Sequence, residues 1–217
     1  MNVLVTGAAG YIGSVLVNKL LNKGYNVIGI DCLMYGGESL IGVFNHPNFK
    51  FYKADIRDID ILSPILEQVD AIVHLAAIVG DPACAKKPDL ARSINWEGSV
   101  NLLNAAHNIN RIKRFIFAST CSNYGKMEGN NYITEDSPLK PVSLYAELKV
   151  QFEKHLLQND YRADFCPTAL RFATVYGLSP RMRFDLTVNE FTRDAALRRE
   201  LVIFGEQFWR PYCNVED

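Results

Sequence analysis

Tyr145 and Lys149 stand four positions apart in a segment with a helical pattern. On an α-helix that spacing puts both side chains on one face. Tyrosine is a poor base at neutral pH because its ordinary pKa is about 10, but a neighbouring ammonium and the positive charge of a bound nicotinamide would favour the phenolate. Thr120 ends an apolar run and could orient a substrate hydroxyl or carbonyl. These three residues suit proton transfer coupled to hydride transfer at a nicotinamide.

Such a Tyr-x-x-x-Lys pair also arises by chance on helix surfaces, so its meaning depends on the start of the chain. An apolar run over residues 2–6 precedes the sequence Gly-Ala-Ala-Gly-Tyr-Ile-Gly at residues 7–13. A helix-like stretch follows, and a second apolar run ends at Asp31. A strand, a glycine turn, a helix and a strand that ends in an acidic residue are typical of a dinucleotide-binding unit.

Each part of this unit has a physical role. Gly7, Gly10 and Gly13 permit a tight turn and a close approach of the backbone to a pyrophosphate, and the helix N-terminus supplies free N–H groups. Asp31 can accept hydrogen bonds from both hydroxyls of an adenosine ribose and would repel a 2′-phosphate, which favours NAD over NADP. A P-loop is disfavoured because no Gly-Lys-Ser/Thr closes the turn.

Further candidate residues follow the ends of later strands, where open parallel sheets bind their ligands. Asp55 could accept a hydrogen bond from an adenine amino group, whereas capping the next helix suits Asp58 better. The small pair Ala76 and Ala77 would let a cofactor lie close to the backbone. His74, inside an apolar run, is interpreted as a core histidine rather than a catalytic one.

Strands alternate with helices along the chain, which predicts an α/β fold with a doubly wound parallel sheet of the Rossmann type. Helices are expected over residues 90–108 and 143–157. Pro167 indicates that the strand containing it lies near an edge of the sheet or carries a bulge. Residues 201–205, Leu-Val-Ile-Phe-Gly, are expected to form another strand.

The composition argues against several classes of function. The net charge of the 217 residues is -1, so no general attraction to nucleic acid or an anionic membrane follows. The five cysteines are scattered and form no Cys-x-x-Cys pair, so neither a disulfide framework nor a metal site is indicated. No apolar run reaches the length of a membrane span. We therefore expect a cytoplasmic protein with no nucleic-acid partner and no membrane partner.

Taken together, the motifs resemble those of the extended short-chain dehydrogenase/reductase family, in its nucleotide-sugar epimerase/dehydratase branch. The match runs through nearly the whole sequence. It is carried by Thr6-Gly7-Ala8-Ala9-Gly10-Tyr11-Ile12-Gly13, Asp31, Asp55-Ile56-Arg57, His74-Leu75-Ala76-Ala77, Asn95, Ser119-Thr120, Tyr124-Gly125, Tyr145, Lys149, Leu170-Arg171, Val175-Tyr176-Gly177, Arg210 and Tyr212.

The resemblance implies NAD as the cofactor and a set of residues that bind it. Within this set, Tyr11 and Ile12 would back the pyrophosphate and Lys149 would anchor the nicotinamide ribose. The implied cofactor-binding residues are Gly7, Gly10, Tyr11, Ile12, Gly13, Asp31, Asp55, Ile56, Leu75, Ala76, Ala77, Asn95, Ser119, Tyr145 and Lys149.

The same resemblance implies a catalytic triad of Thr120, Tyr145 and Lys149 and a nucleotide-diphosphate sugar as the substrate. Thr120 would also contact the substrate. Arg210 matches an arginine that contacts the substrate's diphosphate, a role that suits a fixed bidentate cation. Asn189 would lie beside the nucleotide sugar.

Two expectations about assembly follow from the resemblance. Helices 90–108 and 143–157 match a pair that forms a four-helix homodimer interface. Because family members run on well beyond this length, residues 1–175 are assigned to the NAD-binding Rossmann domain and residues 176–217 to the beginning of a truncated substrate-binding region.

Two departures from the family pattern bear on the reaction. The family's 4,6-dehydratases carry an Asp-Glu pair directly after the catalytic threonine, where this chain has Cys121 and Ser122, so dehydration is disfavoured. Thr174 stands where the family often has asparagine. The favoured reaction is epimerisation by transient oxidation. The alternatives are a keto-sugar reductase or dehydrogenase of the same family, and a non-catalytic NAD(H)-binding regulator.

Overall fold

A parallel sheet of six strands forms the centre of the molecule in the computed structural model, which describes residues 1–126, 132–207 and 209–217. The strand order is β3-β2-β1-β4-β5-β6, which is the doubly wound order, so the predicted fold class is confirmed. The strands are β1 (Asn2–Thr6), β2 (Asn26–Asp31), β3 (Phe49–Lys53), β4 (Ala71–His74), β5 (Arg114–Thr120) and β6 (Cys166–Phe172).

Burial on both faces explains why the central strands read as apolar runs. β1 lies between β2 and β4, and its Leu4 and Val5 have no exposed surface. Leu4 belongs to the apolar cluster on one face of the sheet, whereas Val5 belongs to the cluster on the other. β6 lies at an edge of the sheet, as Pro167 predicted.

Helices cover both faces of the sheet. They are α1 (Tyr11–Asn22), α2 (Ile59–Leu66), α3 (Asp81–Lys86), α4 (Pro88–Arg92), α5 (Ser99–His107), α6 (Leu144–Gln158) and α7 (Thr187–Arg198). Two short 3₁₀ helices occupy Glu38–Val43 and Cys121–Tyr124. In the parts of the chain that the structure describes, every helix is too short or too polar to cross a lipid bilayer.

Side-chain caps fix the starts of two helices where the sequence placed them. The carboxylate of Asp58 accepts a hydrogen bond from Ile61 N (3.2 Å) at the start of α2, so its predicted capping role is confirmed. The hydroxyl of Ser143 accepts one from Ala146 N (3.3 Å) at the start of α6. The second cap places Tyr145 in the first turn of α6.

The helix expected over residues 90–108 contains a turn of a different kind. α4 and α5 are joined by a π-helical segment, Ser93–Gly98, so the helical path is continuous but locally widened. The widened turn carries Asn95, whose amide accepts from Ile78 N (2.8 Å) and donates to Ile78 O (2.9 Å).

After β6 the chain leaves the large sheet. β7 (Thr174–Tyr176) pairs in parallel with β8 (Tyr212–Asn214), and α7 lies between them in the sequence. The expectation of a strand over residues 201–205 is wrong, because the structure shows no strand pairing there. The side chains of Val202 and Phe204 are 60% and 90% exposed, so this apolar run lacks the packing that stabilises a strand.

Candidate active site

A cleft of about 440 Å³ opens at the carboxyl ends of the parallel strands. It lies where the strand order reverses between β1 and β4, the usual ligand position in a doubly wound sheet. Most of the predicted site residues line it together, although the sequence separates them widely. They are Gly7, Gly10, Tyr11, Ile12, Gly13, Asp31, Asp55, Ile56, Leu75, Ala76, Ala77, Ser119, Thr120, Tyr145 and Lys149.

The glycine turn packs too tightly for larger residues. Gly7 has a φ of +72°, and a Cβ there would lie 2.9 Å from Ala76 N. A Cβ on Gly13 would lie 2.0 Å from Gly7 O, so these two positions bring helix α1 directly against the turn. Gly10 caps α1 with no side-chain hydrogen bond, and the first turn of the helix contains no acidic residue. The helix N-terminus therefore faces the cleft with its positive end uncompensated by side chains, as a site for a pyrophosphate requires.

Asp31 is positioned at the end of β2 by two backbone groups. Its carboxylate oxygens accept hydrogen bonds from Ala9 N (3.1 Å) and Leu33 N (2.8 Å). Burial raises the pKa of Asp31, and these two bonds together with the charge of Arg181 act in the opposite direction. Each oxygen keeps a free lone pair, so the carboxylate can still accept from ribose hydroxyls.

Asp55 lines the cleft in an ion pair that the sequence interpretation did not include. Arg57 donates to it from Nε (2.9 Å) and from Nη2 (2.7 Å), in a bidentate arrangement. These bonds hold the pKa of Asp55 below its ordinary value. An adenine amino group would have to share the carboxylate with this guanidinium.

Thr120, Tyr145 and Lys149 meet on one wall of the cleft. Thr120 Oγ1 accepts from Ser122 N (3.2 Å), which leaves its hydroxyl hydrogen free to donate. Lys149 Nζ donates to Ala118 O (2.6 Å) and lies 5.8 Å from the ring centroid of Tyr145. The Lys149–Ala118 hydrogen bond thus joins α6 to β5 beside the reacting groups.

Burial dominates the protonation of this wall. Desolvation raises the pKa of Tyr145, while the hydrogen bond with Thr120 and the charge of Arg183 lower it by less. Desolvation also lowers the pKa of Lys149 to about 8. Burial of Tyr145 therefore opposes the phenolate form that the sequence interpretation expects Lys149 to favour.

Three predicted site residues lie outside the cleft lining: Asn95, Asn189 and Arg210. Asn95 is buried, and its side-chain amide forms hydrogen bonds with the backbone of Ile78 in the cleft wall. Asn189 is buried as well, donating to Tyr11 Oη (3.1 Å) and accepting from Gly177 N (3.0 Å). Arg210 is exposed.

The charge of Arg210 acts on Cys121, the residue directly after Thr120. This charge lowers the pKa of Cys121, although burial of the thiol is the larger effect and raises that pKa overall. Arg210 is therefore near enough to the end of β5 for its charge to act on Cys121, although it does not line the cleft. Cys121 directly follows Thr120 and begins the 3₁₀ helix Cys121–Tyr124.

The sequence interpretation missed a charged group that enters the cleft after β7. Arg181 and Arg183 both line it, together with Asp185. Arg183 donates to Asp185 from Nε (3.1 Å) and Nη2 (2.6 Å), and Arg181 stacks 4.5 Å from the ring centroid of Tyr35. The available signal was two arginines and an aspartate following a strand end, but a surface cluster has the same composition.

Comparison with known proteins places this geometry in a family. The model of the NAD dependent epimerase/dehydratase family matches residues 3–217. A UDP-glucose 4-epimerase of Lactobacillus helveticus is 38% identical over 181 residues, which are 82% of this chain and 53% of that protein. The chain thus spans about half the length of this curated relative.

Solved structures of related enzymes share the fold. The UDP-glucose 4-epimerase of Thermotoga maritima with UDP-glucose has a TM-score of 0.86 and 33% identity, over 100% of this chain and 70% of that chain. The dTDP-glucose 4,6-dehydratase of Bacillus anthracis in complex with NAD has a TM-score of 0.85 and 27% identity, over 99% and 68% respectively. The fold therefore accommodates both kinds of reaction.

Proposed function

Because this chain belongs to the NAD-dependent epimerase/dehydratase family, whose cofactor is NAD, we propose that it epimerises a nucleotide-diphosphate sugar by transient oxidation. The observation that carries the proposal is the convergence of Thr120, Tyr145 and Lys149 on one wall of the cleft. The substrate class is supported by relatives and structural neighbours that are named for UDP-glucose and dTDP-glucose.

The cofactor half of the site fits NAD. The tight turn and the uncapped N-terminus of α1 would hold the pyrophosphate, Asp31 the adenosine ribose, and Lys149 the nicotinamide ribose. When bound, NAD supplies a hydride acceptor that can return the hydride to the substrate. Two of the residues assigned to NAD already have partners in the protein. Asp55 pairs with Arg57, and Asn95 hydrogen-bonds the backbone of Ile78.

Within this scheme Tyr145 holds and moves the substrate's hydroxyl proton at its phenolic oxygen. Its raised pKa must fall for this step, and Lys149 as an ammonium favours that fall below a pH of about 8. Thr120 Oγ1 accepts from Ser122 N, and its O–H, which lowers the pKa of Tyr145 by hydrogen bonding, would turn to the substrate oxygen. That O–H would orient the substrate oxygen toward Tyr145.

We propose epimerisation rather than dehydration because of the residues after Thr120. Elimination of water requires an acid and a base, which the dehydratase branch supplies from an Asp-Glu pair. Here Cys121 has a raised pKa, so it is a neutral thiol at pH 7, and Ser122 offers a hydroxyl. Neither group replaces a carboxylate.

The substrate half of the proposal rests on fewer contacts. We propose that residues 176–217 begin the substrate-binding region, with a boundary near residue 175. Arg210 would contact the diphosphate, and Asn189 would act near the nucleotide sugar. The exposed guanidinium of Arg210 at the end of β5 supports the first assignment. Because Asn189 is already bonded to Tyr11, it would act by holding that residue.

We also propose a homodimer through the helices over residues 90–108 and 143–157. Trp96 of the π-helical turn packs edge-to-face against His155 of α6, with ring centroids 5.5 Å apart, so the two helices present one joined surface. Leu157 on α6 is 52% exposed. Sedimentation velocity of the full-length protein would test this, and a monomer at micromolar concentration would contradict it.

The test of the function is a screen of nucleotide sugars with full-length protein that has first been analysed for co-purified NAD by mass spectrometry. Turnover without added cofactor, with no net NADH formed or consumed, is the result expected for an epimerase. Stoichiometric NADH consumption with a keto-sugar would establish the reductase alternative instead. NAD binding without turnover of any nucleotide sugar would favour a non-catalytic NAD(H)-binding regulator.

A further inference from the structure

Helix α6 presents three functional side chains at intervals of four residues: Tyr145, Lys149 and Glu153. That spacing places all three on one face, which packs against the end of β5. Lys149 Nζ donates to Ala118 O (2.6 Å), and Glu153 Oε2 accepts from Ser119 Oγ (2.6 Å). The two anchors therefore fall on the two residues that precede the triad threonine.

Glu153 is a buried carboxylate with a full set of partners. Its side chain is 2% exposed. Oε2 accepts from Ser119 and also from Asn123 Nδ2 (3.1 Å), while Oε1 accepts from Arg171 Nε (2.9 Å) and from Arg171 Nη2. A buried charge is tolerated only when it is paired and hydrogen-bonded, and both conditions are met here.

The far side of Arg171 extends the network to the segment before α6. Its Nη1 donates to Tyr124 Oη (2.7 Å) and to Glu135 O (2.8 Å). The backbone N–H of Lys140 donates to Asn123 O (2.9 Å). The turn at Cys121–Tyr124 is thereby held from two directions.

A purely stabilising pair could be replaced by apolar side chains, because a buried ion pair often contributes no more to stability than a well-packed apolar pair. Apolar groups could not accept hydrogen bonds from Ser119 and Asn123. These two residues flank the short stretch of backbone that carries Thr120. The Glu153–Arg171 pair therefore fixes the backbone between Ser119 and Asn123.

We propose that Glu153 is a positioning residue for the reaction, one that keeps Thr120 in register with Tyr145. It acts through Ser119 and Asn123, from the same helix that carries the tyrosine. Arg171 holds the carboxylate in place with two hydrogen bonds. The proposal rests on the proposed function for its catalytic consequence, whereas its geometric content can be measured independently.

The first test is Glu153→Gln in the full-length protein with NAD bound. Misplacement of a reacting group by a fraction of an ångström should lower kcat about tenfold or more, while KM and the Kd for NAD stay within about twofold. The matched control is Glu147→Gln, an exposed glutamate on the same helix, which should leave kcat unchanged. A folded Glu153→Gln protein with the kcat of the wild type would overturn the proposal.

A paired variant separates positioning from stability. Glu153→Leu with Arg171→Met removes both charges, so it should unfold at a higher urea concentration than Glu153→Leu alone, in which Arg171 loses its partner. Its kcat should remain low, because Ser119 and Asn123 still lack their acceptor. Recovery of kcat together with stability would show that the role is structural only.

Amide hydrogen exchange of the same variants tests whether the backbone around Thr120 is held in place, independently of enzymatic activity. In Glu153→Gln, peptides that cover residues 115–126 should exchange faster, while those from β1 and α1 should not change. Unchanged protection over residues 115–126 would refute the positioning role. If the wild type turns over no nucleotide sugar, the proposed function fails, and the exchange result still decides the geometry.

Discussion

Residues 1–175 and residues 176–217 are stabilised by different kinds of contact. In residues 1–175 the sheet has fully buried side chains such as Leu4 and Ile72. Among the described residues of 176–217, Asn189 is the one that is buried, while Trp209 is 98% exposed. The cofactor side of the cleft therefore takes its shape from its own core, whereas the other side depends on individual contacts.

Tyr11 is the main link between the two regions. It lies in the first turn of α1, and its hydroxyl donates to Gly177 O (2.7 Å) and accepts from Asn189 Nδ2 (3.1 Å). A second link joins Ser14 Oγ to Ser179 Oγ (3.2 Å). The β7–β8 pairing and the Lys19–Glu216 ion pair also cross between the two regions, so cofactor binding and substrate binding should be separable by mutations that lie away from these contacts.

The largest difference between an effect on turnover and an effect on NAD binding is expected from Tyr145→Phe. Removing the group that moves the proton should lower kcat of the full-length enzyme roughly a thousandfold, or about 4 kcal/mol in transition-state stabilisation. The Kd for NAD should be nearly unchanged, which titration calorimetry can measure. Tyr132→Phe, at a side chain that is 98% exposed, serves as the control. Unchanged turnover in Tyr145→Phe would refute the mechanism.

Gly13→Ala should damage the cofactor side alone. The added Cβ would lie 2.0 Å from Gly7 O, so backbone must move, and we expect a loss of about 3 kcal/mol in the free energy of unfolding. NAD affinity should fall with it. Gly42→Ala is the matched control, because nothing lies within 4 Å of its Cβ position. Equal urea midpoints for the two variants would contradict the turn geometry.

Asp31→Ala tests the ribose contact. Loss of a charged acceptor should weaken NAD binding by about 2 kcal/mol, roughly thirtyfold in Kd, and should reduce the preference for NAD over NADP. Fluorescence titration with both dinucleotides measures the two effects together. Asp160→Ala, an exposed loop residue, controls for a general change of charge. An unaltered Kd for NAD would show that Asp31 does not contact the cofactor.

The core of the cofactor side should also be sensitive to acid. His74 is buried between Thr6 Oγ1 (2.7 Å) and Ser99 Oγ (2.8 Å), and desolvation lowers its pKa to about 3. Between its ordinary pKa of about 6.5 and that value, the unfolded chain binds the extra proton, so stability falls as the pH falls. The contribution is about 1.4 kcal/mol per pH unit.

Urea unfolding of the wild type and of His74→Gln between pH 7 and pH 5 measures this contribution. The difference in unfolding free energy between the two proteins should shrink as the pH falls below about 6.5. Parallel curves for the two proteins would show that His74 does not titrate with unfolding.

Arg210→Gln should give the smallest effect, confined to the substrate side. Because the guanidinium is exposed, its attraction to a diphosphate is partly screened, and we expect KM to rise about fivefold, or about 1 kcal/mol. The Kd for NAD should not change. Arg114→Gln, at the opposite end of β5, is the control. A loss of NAD affinity in Arg210→Gln would contradict the separation of the two regions.

The local signals in the sequence account for most of the sheet and for the cofactor half of the cleft. Glycine spacing, an acid at a strand end and alternation of strands with helices are properties of neighbouring residues, so they can be read without coordinates. The error at residues 201–205 shows the limit. An apolar run with β-branched residues becomes a strand only when another strand lies beside it, and its sequence does not supply that partner.

By itself, the sequence determined the fold class, the position of the glycine turn and the presence of a Thr, Tyr and Lys set. The tertiary structure alone decided how buried polar groups are used. Asn95 bonds Ile78, and desolvation controls the pKa values of Tyr145 and Lys149. The reason is physical: hydrogen-bond partners and loss of solvent come from residues distant in the chain, whereas backbone periodicity comes from adjacent ones.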